Sequence, residues 1–321
     1  MAYRLGDEET AAQAVRRSAE EQLDRAIAEL TERIERDPVE AIHAARKALK
    51  MERSLLRLAR GGIKPAVRRR ENEAFRDVGR RLSKTRDADV MAHALDDLAN
   101  RYAGQLPQKA FASIREYFEE RGRGARDSLI ASGVLADVTD ELRAARLRVQ
   151  SWRLRGKGWN VIGEGLTSTY RRGRRAFKDA KADPTVERLH EWRKRAKDHW
   201  YHLRLLQPLA PGTMCGQAED AHRLADLLGD DHDLAVLREE LHKAEPGFAV
   251  DVHSVIALLD HRRAQLQAEA VILAERLYAE KPKAFTRRIH AYWKAWREET
   301  RTGRAQHPAQ LADLTRQPAA A

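Results

Sequence analysis

The sequence contains DPVEAIHAARKALK at residues 37–50 and DPTVERLHEWRKRAK at residues 183–197. Aligned on His43 and His190, both stretches read His-x-x-Arg-Lys-x-x-Lys, and the two histidines are 147 residues apart. Each stretch begins with Asp-Pro, a pair typical of helix starts. The Asp side chain can accept hydrogen bonds from free N–H groups of the first turn, and Pro lacks an N–H that would otherwise be unpaired. The pattern therefore predicts two helices, opened by Asp37 and Asp183, with the same arrangement of basic residues.

On a helix, the polar side chains of each copy fall within an arc of roughly 120°. The two stripes comprise His43, Arg46, Lys47, Lys50, Arg53 and Arg57 in the first copy, and His190, Arg193, Lys194, Lys197, Tyr201 and Arg204 in the second. Apolar residues lie on an adjoining face. Like charges at this spacing destabilise a helix by a few tenths of a kcal/mol per pair. Local helix stability does not explain the stripes, whereas an anion bound along them would.

The composition favours a helical protein with a polyanionic partner. Of 321 residues, 42% are apolar and 34% are charged, which suits long amphipathic helices and leaves room for two cores. We therefore predict an all-α fold. Lys and Arg outnumber Asp and Glu by 11, and such a surplus points to nucleic acid, a phosphate polymer or an anionic membrane.

The single cysteine, Cys215, cannot form an internal disulfide, which is typical of a reducing cytosol. No apolar run approaches the ~20 residues needed to cross a bilayer, and residues 1–30 lack the apolar segment of a signal peptide. We therefore expect a cytoplasmic protein without a membrane partner.

Periodicity predicts helices at about 8–35, 37–60, 65–82, 107–131, 160–181, 183–207, 216–228, 251–280 and 283–299. Two junctions precede new helices, Arg86-Asp87-Ala88-Asp89-Val90 and His232-Asp233-Leu234-Ala235-Val236. We interpret Asp87 and Asp233 as helix caps. We interpret a further set of residues as core or interface aromatics: Trp192, Trp200, Tyr201, Trp293 and Trp296.

The junctions follow the two histidines at nearly equal distances, since Asp87 is 44 residues after His43 and Asp233 is 43 residues after His190. We therefore predict two similar helical bundles, residues 5–150 and 160–299, related by a pseudo-two-fold axis and joined by a linker at 151–159. The tail at 300–321 has no periodicity, and we expect it to be disordered.

Together, the paired histidine helices, the two junctions, Tyr170-Arg171-Arg172 and the stretch Leu277–Phe285 resemble the CHAD domain, the conserved histidine α-helical domain family. The resemblance covers roughly residues 5–298. It implies two four-helix bundles with a basic groove that binds inorganic polyphosphate. Such binding would also allow association with polyphosphate granules. Some members have a triphosphate-tunnel enzyme domain ahead of this one, for which the sequence leaves no room. We therefore expect no catalytic activity.

Carried onto this sequence, the resemblance implies that the histidine helices line the groove. The other predicted binding residues come from the third helix, its junction and the Tyr170 motif: Arg76, Arg80, Lys84, Arg86, Arg171 and Arg174. In the second copy, Arg80 aligns with Asp226 and Lys84 with Asp230. A basic wall that is stronger on the first half is therefore expected.

Two alternative functions remain open. A nucleic-acid-binding protein would use the same basic helices, although aromatic residues for base stacking are not interleaved with them. A polyphosphate-processing enzyme would need metal-binding carboxylates in the groove. The clusters around His222, His199 and His232 match no strong metal-ligand pattern, so we predict no metal and no cofactor. His43 and His190 are consistent with phosphate donors, pH-dependent contacts or buried histidines.

Overall fold

The computed structural model describes residues 3–83, 86–104, 108–244 and 252–302, without the side chains of 86–89, 108–110 and 244. The described residues form helices and no strand, which confirms the predicted all-α fold. The helices are α1 (Ala11–Ala28), α2 (Pro38–Leu58), α3 (Pro65–Arg81), α4 (Arg86–Arg101), α5 (Gln108–Ala131), α6 (Val134–Gln150), α7 (Gly163–Ala182), α8 (Val186–Leu205), α9 (Pro211–Ala244), α10 (Val252–Leu277) and α11 (Pro282–Arg301).

The two histidine helices begin differently. Asp37 caps α2 as predicted, because its side chain accepts a hydrogen bond from the Glu40 N–H at 3.0 Å. The prediction that Asp183 caps α8 is wrong. The cap is Thr185, whose hydroxyl accepts from the Arg188 N–H at 3.3 Å, while Asp183 ends α7. Both Asp and Thr are good caps, so a second candidate two residues along was enough to shift the start.

The junction at His232–Val236 is also not what the sequence predicted. Helix α9 runs unbroken from Pro211 to Ala244, so Asp233 lies inside it and caps nothing. Gly229 is accommodated within the helix instead of ending it. In the first half, α3 ends at Arg81 and α4 begins at Arg86, so a break is present there. Helix α6 was not among the predicted helices, although its buried residues Val138, Leu142, Ala145 and Val149 recur at helical spacing.

The helices pack so that α2 and α8 meet. Each histidine helix lies between its neighbours in the chain: α2 contacts α1 and α3, and α8 contacts α7 and α9. In addition α2 contacts both α7 and α8, and the buried apolar side chains form one continuous core. The five predicted core aromatics are all buried. The division into two bundles about a pseudo-two-fold axis stays a prediction.

Two close approaches fix the end of α2. A Cβ at Gly165 of α7 would lie 1.9 Å from the Leu58 carbonyl oxygen, so only glycine lets the two backbones come this near. The predicted linker packs on the same region, where the Arg155 N–H donates to the Gly62 carbonyl at 2.7 Å. Helix α11 ends at Arg301, and the predicted tail beyond residue 302 lies outside the described residues. Within the described part of the chain, no helix is long and apolar enough to span a bilayer.

Candidate anion-binding site

A cavity of about 510 Å³ lies where α2 and α8 face each other, and it is called the basic cavity here. Its lining combines side chains of α2, α8 and α9 with Val90 of α4: Arg46, Lys50, Arg53, Arg57, Val90, His190, Arg193, Lys194, Arg195, Lys197, Asp198, Tyr201, His232, Asp233 and Val236. Helix periodicity explains the composition, since residues at i, i+3, i+4 and i+7 share one face. The stripes predicted separately on α2 and α8 therefore meet in one space.

The lining is strongly cationic. It holds eight Lys and Arg residues but only two carboxylates, Asp198 and Asp233, among the described residues. Asp198 is buried and forms ion pairs with Arg57 at 3.2 Å and with Arg195 at 3.3 Å. Asp233 lies 4.0 Å from Arg193. The acids therefore offset only a part of the positive charge.

Arg53 lies partly buried among these cations, and its pKa is lowered as a result. Its burial, reinforced by the neighbouring charge of Arg57, lowers its pKa to about 10. This value includes the opposing effect of Asp198 and smaller contributions of Arg76 and Arg80, which lie outside the cavity lining. A bound anion would favour the protonated guanidinium and would therefore offset part of this effect.

Helix α3 supports the cavity from behind. The Arg46 guanidinium donates a 2.7 Å hydrogen bond to the Gly79 carbonyl oxygen, which fixes α2 against α3. Arg53 donates to the Asn72 side-chain oxygen at 3.2 Å. Arg76 is paired with Asp77 at 2.9 Å, and Arg80 lies 3.8 Å from the same carboxylate. These two arginines therefore contribute long-range positive potential to the cavity.

Two imidazoles lie together at one end of the basic cavity. The ring centroids of His190 and His232 are 4.3 Å apart. Among the described residues, Nδ1 of each ring is buried without a hydrogen-bond partner, and so is Nε of Arg193. Burial lowers the pKa of His190, aided by Lys194 and Arg193, and it lowers that of His232 to about 3, aided by Arg193 and His190. Both rings are therefore neutral near pH 7 when no anion is bound.

Half of the 18 predicted binding residues lie in the basic cavity: Arg46, Lys50, Arg53, Arg57, His190, Arg193, Lys194, Lys197 and Tyr201. Tyr201 is buried, which confirms the core interpretation, and its role in binding stays a prediction.

The other predicted residues lie elsewhere. Lys47 and Arg171 are exposed outside the lining. Arg174 donates to the Tyr278 carbonyl oxygen at 3.0 Å, and the Arg204 guanidinium lies 6.0 Å from the centre of the Tyr3 ring. Lys84 lies outside the described residues, and Arg86 begins α4 without a described side chain.

His43 faces a different space from His190. It lines a neighbouring cavity of about 1010 Å³, called the acidic cavity here, which shares Val90 and Asp233 with the basic cavity. The charged lining of the acidic cavity comprises Glu40, Asp97, Asp230 and Asp233, with Arg101 and Arg262 as its cations. Burial, reinforced by Asp233 and Asp226, raises the pKa of Asp230 to about 6. The two histidines are therefore not equivalent in position.

Six lining residues were not predicted to contribute: the apolar Val90 and Val236, and the polar Arg195, Asp198, His232 and Asp233. Arg195 and Asp198 flank the predicted stripe on α8, so a wider arc would have included them. The sequence indicates that the His232 junction repeats the Arg86 junction. Because Asp233 was interpreted as a helix cap, neither His232 nor Asp233 was predicted to line the cavity. Among the described residues, no group of three His, Cys, Asp or Glu side chains is arranged to hold a metal ion.

Comparisons with known proteins agree with this architecture. The crystal structure of the CHAD domain from the plant Ricinus communis superposes with a TM-score of 0.62 at 18% identity, covering 88% of this chain and 96% of that one. PptA from Streptomyces chartreusis superposes with a TM-score of 0.59 at 14% identity, covering 85% of this chain and all of the other. These similarities show the shared fold.

No curated protein matched the sequence significantly. The sequence model of the CHAD domain matches residues 9–242, which include α1 to α8 and nearly all of α9. This match spans both histidine helices and most of the chain, so the protein belongs to the CHAD domain family.

Proposed function

We propose that the protein binds inorganic polyphosphate in the basic cavity without chemically changing it. The observation that supports this most directly is the meeting of the two cationic stripes of α2 and α8 in one cavity with eight Lys and Arg residues and two carboxylates. A bound anion would relieve the repulsion between neighbouring cations that, together with burial, lowers the pKa of Arg53.

A linear phosphate polymer suits this lining. Internal phosphates of polyphosphate each have about one negative charge, so successive units can be neutralised by a series of cations with release of counterions, as on nucleic-acid backbones. Arginine offers a planar fork with two parallel donors, and lysine offers a compact charge. The lining combines both types on α2 and on α8.

Nucleic acid fits the lining less well. Single-stranded nucleic acid is usually held by bases stacked on exposed aromatic rings. Among the described lining residues the one aromatic phenol or phenyl ring is Tyr201, and it is 2% exposed. The proposal therefore expects polyphosphate to compete effectively with single- and double-stranded DNA of equal phosphate concentration.

The proposal includes a location and a lack of catalysis. A polyphosphate-binding protein of this kind would act in the cytoplasm, including at polyphosphate granules. Incubation with polyphosphate and Mg²⁺ should release no orthophosphate above the background. Steady release at a rate proportional to protein concentration would contradict the non-catalytic part of the proposal and leave the binding part standing.

The binding part is tested by charge reversal inside the cavity. Lys50 and Lys197 both line it, one from each histidine helix. We expect K50E/K197E to weaken polyphosphate binding by at least tenfold in isothermal titration and to reduce its dependence on salt. The matched control K157E/K283E makes the same change in net charge at two exposed lysines outside the lining. An equal effect of the two double variants, at unchanged helical circular dichroism, would refute the cavity as the binding site.

A further inference from the structure

A second groove with basic walls lies beside the basic cavity, between α7 and α8, and is called the α7–α8 groove here. Its volume is about 670 Å³, and its lining comprises Arg172, Arg175, Ala176, Asp179, Ala182, Arg188, Glu191 and Arg195. The helices run antiparallel here because only residues 183–185 connect them. Four arginines therefore face two carboxylates in this groove, among the described residues.

The α7–α8 groove is continuous with the basic cavity. Arg195 lines both spaces, and it is only 18% exposed in its side chain. Its ion pairs also connect them, since it contacts Asp198 of the basic cavity and Glu191 of the groove. On α8, Arg188, Glu191 and Arg195 lie at i, i+3 and i+7, on the face next to the stripe that lines the basic cavity.

The positive potential extends in the same direction. Partial desolvation lowers the pKa of Arg172 although the residue is largely exposed, and the neighbouring charges of Arg195, Arg60 and Arg57 lower it further. Arg57 belongs to the basic cavity and Arg172 to the groove. Cations of the two spaces are therefore close enough to repel each other, and a single anionic chain would relieve this repulsion at both places.

On another side, the surroundings of the basic cavity would repel an anion. There the cavity adjoins the acidic cavity, where Glu40, Asp97, Asp230 and Asp233 outnumber Arg101 and Arg262. A polyanion that is too long for the basic cavity would be repelled on this side. The α7–α8 groove, by contrast, is a neighbouring space whose described lining has an excess of positive charge.

We propose that the α7–α8 groove is a second subsite, which binds the continuation of a polyphosphate chain that leaves the basic cavity past Arg195. This inference rests on the proposed function of the basic cavity. The seven residues from Arg195 back to Arg188 cover about 10 Å along α8, so the subsite adds several phosphate units. Arg175 pairs with Asp179 at 3.7 Å, and Arg188 pairs with Asp183 at 2.7 Å. Both pairs are exposed, so phosphate can compete with the carboxylate for each guanidinium.

Chain length separates the subsite from the basic cavity in an experiment. The variant R172Q/R175Q removes two charges from the wall of the groove that α7 forms, where both side chains are exposed and substitution leaves the core intact. Binding of tripolyphosphate and of long-chain polyphosphate is measured by isothermal titration at several salt concentrations. The control R123Q/R153Q removes two exposed charges that line neither space.

We expect R172Q/R175Q to bind tripolyphosphate within about twofold of the wild type, because that ligand fits in the basic cavity. Long-chain polyphosphate should bind several-fold more weakly, with a salt slope lower by about 1.4, which corresponds to about 0.7 for each cation removed. The control variant should show neither change.

Two results would overturn the subsite, and they differ from a failure of the proposed function. If R172Q/R175Q weakens both ligands equally, or weakens long chains no more than the control does, the chain does not follow the groove, while wild-type binding still supports the basic cavity. If the wild-type protein binds neither ligand, the proposed function fails and the subsite fails with it.

Discussion

The imidazole rings of His190 on α8 and His232 on α9 lie 4.3 Å apart between their centroids, at the end of a cavity lined by lysine and arginine. Burial and the surrounding cations lower the pKa of both rings, that of His232 to about 3. A bound polyanion changes the sign of the local potential and therefore favours the protonated rings. The pair thus links anion binding to proton uptake.

We expect polyphosphate binding to strengthen as the pH falls. The pKa of each histidine is higher in the complex than in the free protein, so binding takes up protons between these two pKa values. The gain in affinity begins as the pH falls through the pKa that each histidine has in the complex. It is complete only below the pKa of the same histidine in the free protein, which is about 3 for His232. Isothermal titration from about pH 8 to about pH 5, in buffers of different ionisation enthalpy, measures both affinity and protons taken up.

The double variant H190Q/H232Q identifies the groups responsible. Glutamine keeps a hydrogen-bonding side chain but does not titrate, so the pH dependence in this window should become shallower and the proton uptake smaller. Release of protons on binding, or a pH dependence that the variant leaves unchanged, would contradict the linkage. The comparison needs helical circular dichroism of the variant at each pH, because both rings are in a packed region.

The sequence predicted which residues form each basic stripe better than it predicted how the helices that carry the stripes pack together. The cations of α2 and α8 followed from helical periodicity, and Asp37 followed from capping preference. The meeting of α2 with α8 did not follow from any local rule, because it depends on packing between residues about 147 positions apart. The resemblance to the CHAD family supplied that expectation.

Competition between equally plausible local signals explains the errors. Asp183 and Thr185 are both good helix caps, and Thr185 caps α8 while Asp183 ends α7. Gly229 and the acidic residues after it are typical of a helix end, but buried Leu228 and Leu234 keep α9 continuous through them. His232 and Asp233 therefore face the basic cavity from inside a helix, which no capping rule indicates.

Asp198 and Asp233 allow binding and stability to be separated. Each is a carboxylate in the basic cavity, so D198N and D233N should both tighten polyphosphate binding by a few-fold. Asp198 is buried with two arginines within 3.3 Å, whereas Asp233 is more exposed and 4.0 Å from its partner. We expect D198N to lower the free energy of unfolding by about 2 kcal/mol and D233N by less than about 0.5 kcal/mol. Urea unfolding and titration of both variants check this; weaker binding by both would mean that the carboxylates position the arginines for the ligand.

Gly165 tests the close contact between α7 and the end of α2. Because a Cβ there would lie 1.9 Å from the Leu58 carbonyl oxygen, G165A must separate two backbones, and we expect a loss of more than about 3 kcal/mol of stability. The control is G216A in α9, where a Cβ meets nothing within 4 Å. Alanine should stabilise that helix by about 0.5–1 kcal/mol. Equal thermal unfolding of the two variants would show that the helices can separate at little cost.

Two fully buried histidines predict that the fold weakens in acid. His199 packs among the rings of Tyr170 and Phe285, and Nε2–H of His202 donates a 2.9 Å hydrogen bond to the Ser54 carbonyl oxygen. Burial lowers the pKa of His199 to about 3 and that of His202 to about 4.

The unfolded chain, with ordinary histidine pKa values near 6.5, binds these protons more readily than the folded protein. Stability should therefore fall as the pH drops below about 6.5, by a few kcal/mol for each histidine at about pH 4. Urea unfolding at a series of pH values measures the slope, and H199Q/H202Q should reduce it whatever its effect on stability at neutral pH. The control H242Q changes an exposed histidine and should leave the slope as it is. If the double variant keeps the full slope between about pH 6.5 and 4, the acid sensitivity comes from other groups, and the two rings are protonated without loss of the fold.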